Sequence, residues 1–103
     1  MYKKEQQYDF SAEKNQMLIN ERGISFEEVI AAITDGHLID ILPHPNSIKY
    51  SNQKIYVLRI NNYVYSVPFV RKDEHTVFLK TIFPHRKLNK RYLESDGNEK
   101  NKT

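Results

Sequence analysis

At His37 the apolar period of this chain changes from 3.6 residues to 2, which divides the sequence into a helical opening and a stranded remainder. Upstream, Asp9 and Ser11 are candidate N-caps for a helix over roughly 12–22; Leu18 and Ile19 carry its apolar stripe and Gly23 ends it. Ser25 Phe26 Glu27 Glu28 reads as a capping box, in which the Ser25 hydroxyl and the Glu28 carboxylate each satisfy a backbone N–H of the first turn. Phe26, Val29, Ile30 and Ile33 then fall at i, i+3, i+4 and i+7, and Gly36 closes this second helix.

Downstream, residues 37–42 form a short strand ended by Pro43 and Pro45, followed by a polar loop over about 43–53. Strands over 54–60 and 63–69 flank Asn61 Asn62, the residue type that best tolerates the positive φ of a two-residue hairpin after glycine. A further strand over 76–83 returns through the polar turn 71–75, and Pro68 predicts a bulge or strand end. Beyond Pro84 a short helix over roughly 86–94 sets Leu88 and Tyr92 on the sheet. The expected fold is α+β: two N-terminal helices packed on a three- to four-stranded antiparallel meander sheet with a short C-terminal helix. Residues 1–94 read as one domain and 95–103 as a disordered polar tail.

Charge is distributed as unevenly as period. Residues 1–48 hold four Lys/Arg against eight Asp/Glu, whereas residues 49–92 hold ten against two. A basic half of that density faces a polyanion, and nucleic acid is the first candidate. Cysteine is absent, which excludes a disulfide scaffold, a thiolate metal site and a cysteine nucleophile. The four His have no spaced acidic partners and no Gly-rich phosphate loop occurs, so neither a metal nor a cofactor is expected. With no eighteen-residue apolar run and no apolar signal segment, the chain reads as cytoplasmic and without a membrane partner.

The run from Lys80 to Arg91 carries the candidate chemistry, because it holds Lys80, Arg86, Lys87, Lys90 and Arg91 with His85 and no acid. Alternation along 76–83 sets Lys80 among Phe78 and Ile82, from where it can meet a phosphate together with Arg86 and Lys87. His85 is the group of that run able to change charge near neutral pH. Arg59, Arg71, Lys90 and Arg91 are further candidate RNA contacts, and Tyr63 and Tyr65 are candidates for stacking on bases. The same residues also fit solubilising surface charges over snorkelling stems and core tyrosines.

Tyr8 Asp9 Phe10 Ser11 Ala12 Glu13 Lys14 Asn15, followed by Glu21 Arg22 Gly23 Ile24 Ser25 Phe26 Glu27 Glu28, resembles the N-terminal signature of BrnT-type toxins. The resemblance covers about residues 8–93 and identifies the chain as a divergent relative. It implies a RelE-like α+β fold and the toxin of a type II toxin–antitoxin pair: a metal-independent endoribonuclease that cleaves RNA by attack of the 2′-hydroxyl on the phosphodiester. The partner it implies is a cognate antitoxin, a small DNA-binding protein encoded adjacently. On that reading Arg86 and Lys80 meet the phosphate, His85 or Lys87 moves the proton, and Tyr65 or Tyr63 stacks on a base. The alternative is a non-catalytic nucleic-acid-binding or partner-binding module of the same fold.

Overall fold

The two helices begin where their caps put them. In the computed structural model, which describes residues 6–46 and 48–85, the order is β1 (Gln7–Phe10), α1 (Ala12–Arg22), α2 (Phe26–Thr34), β2 (Leu38–Pro43), β3 (Gln53–Ile60), β4 (Tyr63–Arg71), β5 (Thr76–Leu79) and β6 (Phe83–Pro84). The Ser11 hydroxyl accepts from Lys14 N at 3.1 Å, and Gly23, at φ 69°, ends α1 in the left-handed conformation. Ser25 Oγ accepts from Glu28 N at 3.2 Å. The expected return bond from the Glu28 carboxylate is not among the hydrogen bonds of the described residues. Glu27 is the bonded acid instead: it accepts from Asn15 Nδ2 at 2.8 Å, and that bond, first among its contacts, holds its carboxyl below the usual range.

The sheet order is β1-β5-β4-β3-β2, with β6 paired to β4 beside this path. The β2, β3, β4 and β5 pairings are antiparallel, as a meander requires, but β1 lies parallel to β5, with Tyr8 opposite Val77. The sheet is therefore mixed and six-stranded, which corrects the expected antiparallel meander of three or four strands. Four residues carry too little alternation to announce β1, and its ladder is closed from far away in sequence, by Gln7 N on His75 O at 2.6 Å.

The expected strand over 76–83 is two strands. β5 stops at Leu79, and the chain shifts phase, so that Ile82 rather than Thr81 is fully buried. β6 then pairs farther along β4, with Phe83 opposite Ser66 and Pro84 opposite Tyr65. This split also explains why β4 runs unbroken through Pro68, where a bulge or strand end was expected. In an antiparallel ladder a residue's nitrogen and carbonyl face the same neighbour. The Pro68 carbonyl accepts from Lys80 N at 2.8 Å, so its nitrogen faces the gap between β5 and β6, where no ladder donor is needed.

Leu18, Phe26, Val29 and Ala32 pack from the helices onto Tyr56, Leu58, Val67, Val77 and Leu79 of the sheet. Fully burying each large aliphatic side chain contributes about 1.5–3 kcal/mol. Phe10 stacks on Phe26 with centroids 5.0 Å apart, tying the parallel edge strand to α2. The expected C-terminal helix and polar tail, and Arg86, Lys87, Lys90 and Arg91 among the candidate site residues, lie outside the described residues. Among the described residues no helix is long and apolar enough to cross a membrane.

Candidate nucleic-acid interface

Asn61 and Asn62 take φ values of 52° and 65°, the pair of left-handed conformations that closes a two-residue hairpin. That turn sets the register: Ile60 faces Tyr63, Arg59 faces Val64, and Leu58 faces Tyr65. Tyr63 and Tyr65 therefore share the helix-facing side of β4, with ring centroids 5.4 Å apart and planes at 55°. Tyr65 packs against the core. Burial, with smaller contributions from Tyr63 and the Glu28 carboxylate, raises its phenol above the ordinary value, so the hydroxyl stays neutral.

β6 brings Pro84 opposite Tyr65, and Arg22, in the last turn of α1, sends its guanidinium to the Ile82 carbonyl just before β6. Arg22, Tyr63, Tyr65 and Pro84 line a cleft of about 310 Å³. A second cleft, of about 340 Å³, opens at the same end of the sheet between α2 and β3. Glu28, Ala32 and Asp35 line it from one helical face, at i, i+4 and i+7, and His37 and Arg59 line it from the sheet. Arg59 N donates to the His37 carbonyl at 3.1 Å, which holds these two residues side by side. The hairpin end thus carries Arg22, the Glu28 carboxylate and the stacking pair on its helix-facing side, while alternation sets Arg59, opposite Val64, on the other face of the same end.

The residues singled out from sequence divide. Arg59, Tyr63 and Tyr65 lie at the hairpin end, and His85 joins them through its backbone N, which donates to Val64 O at 3.1 Å. Arg59 and His85 flank Val64 on opposite sides, so at the usual strand spacing their backbones are about 10 Å apart. Lys80 is exposed, and its backbone bonds Pro68, four residues along β4 from Val64, or about 13 Å at the usual rise. Arg71 is at the opposite end of β4, its guanidinium donating to the Asp73 and Glu74 carbonyls at 3.2 Å each. The described candidates therefore do not share one cleft. The structure adds Arg22, Glu28 and His37, which the sequence presented only as a helix end, a capping acid and a strand start. Among the described residues no group of three His, Asp or Glu is disposed to hold a metal ion.

No family model and no curated protein matches the sequence. In three dimensions the chain is similar to the ribonuclease toxin BrnT of Brucella abortus, with a TM-score of 0.59 over 78% of this chain and 96% of that one, at 11% sequence identity. A likeness at that identity is one of backbone, and by it the chain has the BrnT toxin fold.

Proposed function

We propose that this chain is the toxin of a toxin–antitoxin pair and that it cleaves RNA at the hairpin end of its sheet. What supports the reading is that a chain with the fold of a ribonuclease toxin carries at this one end Arg22, Glu28, His37, Arg59 and the Tyr63–Tyr65 pair. In the proposed reaction the Glu28 carboxylate accepts the proton of an RNA 2′-hydroxyl, whose oxygen attacks the adjacent phosphorus. Arg22 stabilises the charge that develops on the phosphoryl oxygens, and Arg59, on the other face of the same end, holds a flanking phosphate. The bond from phosphorus to the 5′-oxygen breaks, and His37 or His85 protonates that oxygen, leaving a 2′,3′-cyclic phosphate on one fragment and a 5′-hydroxyl on the other. Tyr63 and Tyr65 stack on the flanking bases. Lys80, Arg86 and Lys87 supply further phosphate contacts, as do Arg71, Lys90 and Arg91 along the RNA, and Lys87 is a second candidate for the proton transfer. No step calls on a metal ion. The proposed antitoxin is a small DNA-binding protein encoded adjacently, which covers this end.

The test is cleavage of single-stranded RNA by purified protein and by its Glu28→Gln, Arg59→Met, Lys80→Ala and Arg86→Ala variants, each checked for folding by circular dichroism. Loss of one preorganised charge at the phosphate is expected to slow cleavage on the order of 10²-fold. Folded Glu28→Gln and Arg59→Met variants that cleave at the parent rate would remove the hairpin-end assignment. A parent protein that leaves RNA intact would remove the nuclease reading itself.

A further inference from the structure

Arg71, set apart from the hairpin end, belongs to a different cleft. Lys54, Arg71, Tyr56, Phe69 and Ile41 line a cavity of about 340 Å³, within the range of small-molecule sites. It lies on the same face of the sheet as Tyr65 but six residues along β4, or about 20 Å away at the usual rise. Lys54 faces Phe69 across the β3–β4 ladder, and Arg71 is two residues beyond Phe69, so the two cations are diagonal neighbours on one face, about 7–8 Å apart at the backbone. Side chains of this length converge from that spacing onto a single anion.

The surrounding charges leave both cations uncompensated. Arg71 is held by neutral acceptors, the carbonyls of Asp73 and Glu74 and the Gln6 side-chain oxygen at 3.4 Å. These orient the guanidinium without cancelling its charge. The acids nearby are engaged elsewhere: Asp9 pairs with Lys72 at 3.0 Å, the Asp73 carboxylate accepts from the His75 and Thr76 amides, and Glu74 lies 3.6 Å from the His75 imidazole. Lys54 has no bonded partner among the described residues, and no carboxylate lines the cavity. Its floor is apolar, formed by the Tyr56 and Phe69 rings, which are 6% and 5% exposed and stacked with centroids 3.9 Å apart and planes within 13°. Ile41, 46% exposed, makes one wall, and Ser51 and Asn52 offer neutral hydrogen-bonding groups at the rim.

We propose that the Lys54–Arg71 cleft binds a phosphate group carried on a planar ring, the chemistry of a nucleotide. Lys54 and Arg71 take the phosphate, and the ring lies over Ile41 and the Tyr56–Phe69 floor. This goes beyond the cleavage proposed above, with which it shares Arg71 alone, and its readouts do not depend on that cleavage.

The probes are 5′-AMP, inorganic phosphate, adenosine and an uncleavable all-2′-deoxy oligonucleotide, followed at low salt by NMR chemical shifts and calorimetry. 5′-AMP is expected to shift residues 41, 51–56 and 69–71, and to bind more tightly than inorganic phosphate or adenosine. Lys54→Met, an exposed change that leaves the core intact, is expected to weaken 5′-AMP at least about tenfold, as is Arg71→Gln. Lys72→Met, whose charge is already paired with Asp9, is expected to leave it unchanged. An oligonucleotide that displaces 5′-AMP identifies a nucleotide within a strand as the occupant. One that does not identifies a free nucleotide, and either result supports the site. Absence of any 5′-AMP shift, adenosine binding as tightly as 5′-AMP, or full affinity in folded Lys54→Met would overturn it. None of these readouts depends on RNA cleavage, so the two proposals fail separately.

Discussion

Asn15 Oδ1 accepts a hydrogen bond from the backbone N of Phe26 at 2.7 Å, joining the first turn of α1 to the first residue of α2. The same amide group donates through Nδ2 to Glu27, so one nearly buried side chain spans both helices. Replacing it by Leu keeps the volume but strands the buried Phe26 amide, an expected loss of about 1–3 kcal/mol in urea unfolding. Asn15→Asp keeps the acceptor yet sets a carboxylate against Glu27. Its deficit relative to the parent is expected at about pH 7 and should shrink below about pH 4, as the carboxylates take up protons.

The hairpin turn sets the register that brings Tyr63 and Tyr65 together, and Asn62 sits there at φ 65°. Asn62→Gly is expected to melt within a few degrees of the parent. Asn62→Val, β-branched at a left-handed position, is expected to lose about 1–2 kcal/mol in thermal or urea unfolding. Equal stability of the two variants would mean that the turn does not hold the register.

Tyr56 is buried, and burial, ahead of the charge of the neighbouring Tyr8 phenolate, pushes its phenol up to about 12. The folded state therefore favours the neutral form, while the unfolded chain ionises near the ordinary value of about 10. Stability from this group is fully present below about pH 10 and is lost as pH rises toward about 12. In urea titrations at about pH 9 and about pH 11.5, the parent should lose more stability between the two than Tyr56→Phe. An identical loss in both proteins would show that the burial of this phenol does not govern the alkaline limb.

Tyr63 and Tyr65, both half-buried, differ in what they pack against. Tyr63 lies half-buried at the cleft, whereas Tyr65 packs onto the core. Tyr63→Ala should weaken binding of an uncleavable oligonucleotide by the value of one stacked base, about 1–3 kcal/mol, with little change in melting temperature. Tyr65→Ala should lower both. Oligonucleotide binding unaltered in Tyr63→Ala would take this ring out of the interface.

Helices α1 and α2, the Asn61–Asn62 hairpin and the strands beside it were legible in the sequence, because each is announced by groups a few residues apart: a hydroxyl and the amide it caps, an apolar face at i, i+3 and i+4, two asparagines at positive φ. Arg59, Tyr63 and Tyr65 could be nominated for the same reason, being the charged and aromatic residues nearest that turn. The parallel β1–β5 edge, the break between β5 and β6, and the company Arg22 and Glu28 keep at the hairpin end were decided by tertiary structure. Gln7 meets His75, Arg22 meets Ile82 and Arg59 meets His37 only after the chain has closed loops of tens of residues. Local pattern holds no trace of such pairings. They follow from how the helices settle on the sheet to bury Phe26, Leu58 and Leu79, and the placing of the charges is a consequence of that burial.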